Sequence, residues 1–306
     1  MQQLVTRLTA EISKVLLGKE PQIKLALACL FARGHLLIED MPGMGKTTLA
    51  HALAAVFGLS YQRIQFTSDL LPADILGVSV FDRNSSQFEF HPGPIFSQVL
   101  LADEINRTTP KTQSALLEAM EEGQVTVEGE TRQLPQPFFV IATQNPLSSS
   151  GTFPLPESQL DRFLMRVELG YPSPEAERAL LLGDGSRTRL PQLKACITKD
   201  QLSIISMHAE QVKISAAVLD YLQRLIAYTR DCADFSMGIS PRGALALLRT
   251  AKTWAVMHGR KHLLPEDIQS VLPAVVAHRV SEATGNSDQS GYALIDQLLN
   301  EVDVMS

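Results

Sequence analysis

The chain has 306 residues, which at roughly 100 to 200 residues per domain predicts two domains. Hydrophobic residues make up 45% and charged residues 20%, with 18 glycines and 17 prolines, a globular composition that excludes disorder as the main state. Against 33 Asp and Glu stand 27 Lys and Arg, and the net charge of −6 opposes a phosphate backbone, because non-specific nucleic-acid affinity comes mainly from basic side chains displacing counterions.

The longest apolar run, Leu25 to Ala32, is about eight residues, far short of the roughly 20 that span a bilayer. Charged residues Glu11, Lys14, Lys19 and Glu20 interrupt the first turns, so no secretory leader is expected and the predicted location is cytoplasmic. Cys29, Cys196 and Cys232 are odd in number and far apart, which predicts reduced, buried thiols.

From the N-terminus to about residue 170, short apolar runs alternate with helical stretches, the sequence form of an α/β fold with a parallel sheet flanked by helices. Five strands are predicted: 35–39 (HLLIE), 61–66 (YQRIQF), 99–102 (VLLA), 138–143 (FFVIAT) and 163–169 (FLMRVEL). They are apolar almost throughout, as both-face burial requires. The two prolines of GYPSP at 170–174 break the pattern. This predicts an α/β core over 1–171 and a smaller all-α domain over 172–306. In the second part, apolar residues recur at three and four over 216–230 and 241–259. Another helix is predicted from Pro265, then a mobile loop over 281–291, then a last amphipathic helix. No comparable strand is expected there.

The strongest local signal is HLLIEDMPGMGKTTLA, a strand that runs into a glycine-bearing loop and then a helix. Gly43 and Gly45 let the backbone amides of the loop turn inward, and the helix N-terminus near Lys46 adds its dipole, a cradle for phosphate oxygens. Lys46 would reach the β and γ phosphates and Thr47 would place its hydroxyl on Mg2+. Pro42, Met44 and Thr48 complete the loop. The generic P-loop pattern expects glycine where Asp40 stands, a residue that tolerates left-handed backbone better than most.

The second signal is VLLADEINR, a buried strand that delivers two acids at its carboxyl end. Asp103 would hold the hydration shell of the metal and Glu104 would act as general base on the attacking water. On the strand that ends ATQNP, Asn145 is positioned to orient the same water. His258 and His262 share a spacing of four, but a glycine and two cations lie between them and no acid, so no metal is expected there.

Taken together, these residues resemble the AAA+ ATPases and, more narrowly, the MoxR family. The resemblance covers essentially the whole chain, through VLLGKEPQI, RIQFTSDLLPADILG, FEFHPGPIF, LLADEINRTTPKTQSALLEAMEEGQVTVEG, PLPESQLDRFLM and GISPRGALALL. It implies that Asn145 is the first sensor and Arg162 the arginine finger that enters a neighbouring subunit's site. It implies that Arg242, on the helical lid, is the second sensor approaching the γ-phosphate, and that Val15 and Gly18 line the adenine pocket. Two predicted hairpins, 79–90 and 123–135, correspond in the family to the helix-2 insert and the hairpin before the first sensor. The implied activity is hydrolysis of ATP with Mg2+ by a homo-oligomeric ring, a hexamer by expectation. The implied partners are a client protein, matured or loaded with cofactor or metal, and an adaptor with a von Willebrand factor A domain. A nucleic-acid motor of the helix-2-insert class, or a nucleotide-gated scaffold, are the alternatives. The first is disfavoured by the net acidity and by hairpins without basic and aromatic interleaving.

Overall fold

The computed structural model describes residues 1–145, 152–183, 189–282 and 291–304. Two N-terminal helices, α1 (Gln2–Ser13) and α2 (Glu20–Phe31), precede strand β1 (Leu36–Glu39). Then follow α3 (Lys46–Phe57), β2 (Tyr61–Gln65), α4 (Pro72–Leu76) and the antiparallel pair β3 (Gly77–Asp82) and β4 (Gln87–Pro92). Strand β5 (Val99–Asp103) leads to α5 (Pro110–Glu122) and a second antiparallel pair, β6 (Gln124–Val127) and β7 (Glu130–Gln133). Strand β8 (Phe139–Gln144), α6 (Glu157–Leu160) and β9 (Met165–Val167) complete this part.

All five predicted strands join one parallel sheet in the order β2-β5-β8-β1-β9. Successive side chains alternate between its faces. Leu36, Ile38, Val99, Leu101, Phe139 and Ile141 point to the face covered by α1, α2 and α3, whereas Leu37, Leu100, Ala102, Val140 and Ala142 point to the face covered by α5. Both sets are buried, which is why the strands read as continuous apolar runs. The chain leaves β1 toward β2 and later passes from β8 to β9 on the other side of β1, so the carboxyl ends of β1 and β8 flank a topological switch point.

After β9 the chain is helical: α7 (Pro174–Leu181), α8 (Lys199–Glu210), α9 (Ala216–Asp231), α10 (Pro241–Met257), α11 (Pro265–Val276) and α12 (Gly291–Glu301). A serine side chain caps α7, α9 and α10, where Ser173, Ser215 and Ser240 each accept a backbone N–H from the first turn. The expectation of no strand here needs correction, because β10 (Phe235–Met237) pairs antiparallel with β11 (Ser281–Glu282). Both are too short to show a period of two in sequence. Strand β11 takes up the first two residues of the predicted loop, and 283–290 of that loop lie outside the described residues.

The helical part is not a free appendage. Its core, with Leu222, Leu225, Leu247, Ile268, Val271 and Leu272, is continuous with the sheet face that carries Leu36 and Ile38. Helix α10 packs on α2, and α11 on β9. Cys29 is buried, whereas Cys196 and Cys232 are partly exposed, which corrects the expectation that all three thiols are buried. Among the described residues no helix is long and apolar enough to cross a membrane.

Candidate functional site

The loop between β1 and α3 takes the shape a phosphate cradle needs. Gly43 and Gly45 have φ of 90° and 94°, in the left-handed region where a side chain is strained. At Gly45 a Cβ would also meet Leu16 Cδ1 at 2.8 Å, whereas the space beside Gly43 is open. Asp40 is not among the residues with positive φ, so left-handed tolerance does not explain it. Its carboxylate instead accepts backbone N–H groups from Leu169 and Gly170, both at 2.7 Å, and from Met41 at 2.8 Å. An acid at this position clamps the chain after β9 onto the loop, a task glycine cannot perform.

Lys46 is buried, and its Nζ donates to Asp40 O at 2.6 Å and to Asn145 Oδ1 at 3.0 Å. Burial lowers its pKa, and the carboxylates of Asp103, Asp40, Glu104 and Glu39 work against that. The ammonium therefore sits at the mouths of β1 and β8, in the crevice of the switch point.

Strand β5 is buried along its whole length and ends on Asp103. Asp103 Oδ1 accepts the Thr143 hydroxyl at 2.6 Å, and Oδ2 accepts Arg63 Nη2 at 2.6 Å and Nε at 3.1 Å. The next residue, Glu104, has φ 58°. A non-glycine residue there is uncommon and costs backbone energy; the turn lifts the Glu104 side chain off the strand end into the crevice. Its Oε1 accepts Asn145 Nδ2 at 3.0 Å, and Oε2 accepts Gln65 Nε2 at 2.9 Å and Arg107 Nη1 at 3.0 Å. Asn145 thus links Lys46 to Glu104 with its two amide atoms.

A cavity of about 450 Å3 opens over these groups, in the size range of small-molecule sites. Of the residues singled out in the sequence, Val15, Pro42, Gly43, Met44, Gly45, Lys46, Thr47, Thr48, Asp103, Glu104 and Asn145 line it. Gly18 does not. It has φ 68°, and a Cβ there would lie 3.0 Å from Ala176 Cβ, so its smallness lets the segment before α2 pack on α7. Leu16, Leu17, Pro172 and Leu180, an apolar wall beside the loop, and Lys19 also line the pocket without having been read in the sequence as site residues. Arg63, Gln65 and Thr143 were also missed. The available signal was strand alternation: residues 63 and 65 share one face of β2, and Gln65 pairs in register with Asp103.

Arg162 and Arg242 are not in this pocket. Both reach Glu121 at the end of α5, Arg162 Nη2 to Oε2 and Arg242 Nη1 to Oε1, each at 3.1 Å. Within its own subunit Arg242 therefore stands apart from the phosphate loop, paired with Glu121. Packing of α10 on α2 holds the start of α10 beside α5, away from the loop after β1.

The Mg2+ that the fold implies would find suitable donors. Asp103 and Thr47 offer hard oxygens on one wall, and a magnesium ion keeps most of its waters and needs few protein ligands. The carboxylate of Asp103 is held by the side chains of Thr143 and Arg63.

A P-loop crevice at a parallel-sheet switch point, with a helical domain behind it, defines a nucleotide-binding ATPase fold. Residues 35–165 match the family described as ATPase family associated with various cellular activities (AAA), and residues 227–298 match the AAA lid domain. The chain is 45% identical to YeaC of Bacillus subtilis, over 90% of this chain and 87% of that one. It is 38% identical to Chaperone MoxR1 of Mycobacterium tuberculosis, over 88% of this chain and 74% of that one. A crystal structure of a Cytophaga hutchinsonii protein superposes with a TM-score of 0.89 at 34% identity, covering 100% of this chain and 96% of that one. The chain belongs to the MoxR family of AAA+ ATPases.

Proposed function

We propose that this protein hydrolyses ATP with Mg2+ as a ring of identical subunits, six by expectation, and uses the cycle to remodel a client protein. The observation that carries the reading is the convergence of Lys46, Asp103, Glu104 and Asn145 on one crevice at the mouth of the glycine loop. The loop amides and Lys46 bind the β and γ phosphates, and the apolar wall of Val15, Leu16, Pro172 and Leu180 receives the base. Thr47 and Asp103 would hold a magnesium ion, which would neutralise charge on the phosphate oxygens. Glu104 takes a proton from the attacking water while Asn145 holds that water in line. A P–O bond forms to the water oxygen, the bond to the β-phosphate oxygen breaks, and ADP and phosphate leave.

Arg162 and Arg242 lie outside their own pocket, and in this reading they serve the phosphate of a neighbouring copy. An arginine supplied in this way contributes on the order of 10³ to 10⁵ in rate. The client reading draws support from the name of MoxR1 as a chaperone and from the exposed apolar hairpin of β3 and β4, where Phe81 and Phe88 stack edge to face at 5.3 Å and Phe88 is 74% exposed. An adaptor with a von Willebrand factor A domain, and cofactor or metal insertion as the task, belong to the same proposal.

The test is Glu104→Gln. It should retain nucleotide affinity and lose turnover by about 10² or more, and with ATP it should hold the client that the wild type releases. Wild-type turnover in the variant would remove Glu104 from the chemistry.

A further inference from the structure

Two arginines drawn together on one carboxylate are an unusual use of charge. Glu121 stands in the last turn of α5, where the helix dipole disfavours an acid, and Arg242 is the second residue of α10, where the dipole disfavours a base. Neither residue serves its own helix. Arg162 comes from a third segment, the turn before β9. Side by side, the Arg162 and Arg242 guanidinia repel one another unless an anion lies between them, and Glu121 gives one oxygen to each.

The surrounding cleft, of about 360 Å3, asks for more negative charge than it contains. Its other acid, Asp161, is already committed: Oδ1 accepts Arg279 Nε at 2.6 Å and Oδ2 accepts the Ser240 hydroxyl at 3.2 Å. Arg33 and Arg249 also line the cleft, and neither has an ion-pair partner among the described residues. The Asp161 contacts tie the turn that carries Arg162 to the cap of the helix that carries Arg242. The backbone thus brings the two arginines to one place, and Glu121 joins their tips.

We propose that Glu121 is the positioning residue that gathers Arg162 and Arg242 into one pair, presented together to a single phosphate of the adjoining subunit's nucleotide. The inference rests on the reading that these arginines act on a neighbour. Glu121 does not line the nucleotide pocket of its own subunit. It holds two like charges on one carboxylate and removes the cost of bringing them together when that phosphate arrives. Because β6 begins two residues after α5 ends, the same carboxylate also lies at the root of the β6–β7 hairpin.

Mixed rings test this. Acceptor subunits carry Arg162→Ala and Arg242→Ala, with an intact pocket and no arginines to give. Donor subunits carry Lys46→Ala, with a dead pocket and intact arginines. Donors should restore ATP turnover to acceptors. Donors that also carry Glu121→Ala should restore about a tenth as much or less, through kcat with KM for ATP unchanged, since the acceptor pocket is untouched. Glu121→Gln, which keeps size and an acceptor oxygen but not the charge, should fall between, and it is the donor to read if sedimentation shows the alanine form excluded from rings. Equal restoration with and without Glu121 overturns the proposal, as does a loss confined to KM. Failure of the Lys46→Ala donors themselves to restore turnover overturns the neighbour reading on which it stands.

Discussion

Asp40 departs from the generic glycine loop, and the structure gives the departure a use. Its carboxylate accepts three backbone N–H groups, two of them from the chain after β9. Asp40→Gly, which would restore the generic pattern, should therefore destabilise the fold by about 1–3 kcal/mol, the cost of leaving the part-buried Leu169 and Gly170 donors unpaired. Thermal unfolding of the variant measures it, and an unchanged midpoint would show that the loop holds itself. His35 makes a second residue-scale prediction. Its Nδ1 accepts the Val140 N–H at 2.9 Å and its Nε2 faces Met120 O at 3.2 Å, so the ring bridges β8 and α5 as a neutral tautomer. Burial pushes its pKa down to about 4, and His278 is pushed down for the same reason. In the unfolded chain a histidine titrates near 6.5, so between about pH 6.5 and 4 the unfolded state binds the proton and the folded state does not. Stability is full above pH 6.5 and falls with pH, by about 3 kcal/mol at pH 4 for His35. The melting temperature of the wild type should drop more steeply over this range than that of His35→Gln.

At the scale of elements, smallness at one position decides how α7 meets the N-terminal segment. Gly18 combines φ 68° with a Cβ position 3.0 Å from Ala176. Gly18→Val should cost roughly 1–3 kcal/mol through backbone strain and overpacking and should loosen α7, whose Leu180 forms part of the pocket wall. Nucleotide affinity should fall with stability in this variant, measured by fluorescence titration, whereas Gly129→Ala, in the β6–β7 turn with open space around it, should pay backbone strain alone and leave nucleotide affinity unchanged. The β6–β7 hairpin was legible from turn chemistry, since Glu128 and Gly129 both have positive φ, as a tight hairpin turn requires, and the β3–β4 hairpin from a polar turn between alternating arms. The pair β10 and β11 was not legible, since three residues and two cannot display an alternation.

At the scale of the whole molecule, the arginines and the phosphate crevice open on separate cavities of one subunit. A lone subunit should therefore hydrolyse slowly. Specific activity should rise with protein concentration as rings form, and Arg162→Ala should remain at the dilute-subunit rate at every concentration, with nucleotide affinity intact. Concentration-independent turnover in the wild type would mean that each subunit completes its own site.

The sequence by itself determined the sheet, the glycine loop and the acid pair. Their signals are local: apolar runs of strand length, glycines where φ must be positive, and acids at a strand's end. The tertiary structure decided what lies between distant segments. That Asn145 joins Lys46 to Glu104, that Arg63 and Thr143 hold Asp103, and that Arg162 and Arg242 converge on Glu121 follows from strand order and from the packing of α10 on α2. No spacing along the chain encodes such contacts, because each forms only when buried apolar faces have fixed the relative positions of segments 40 to 121 residues apart.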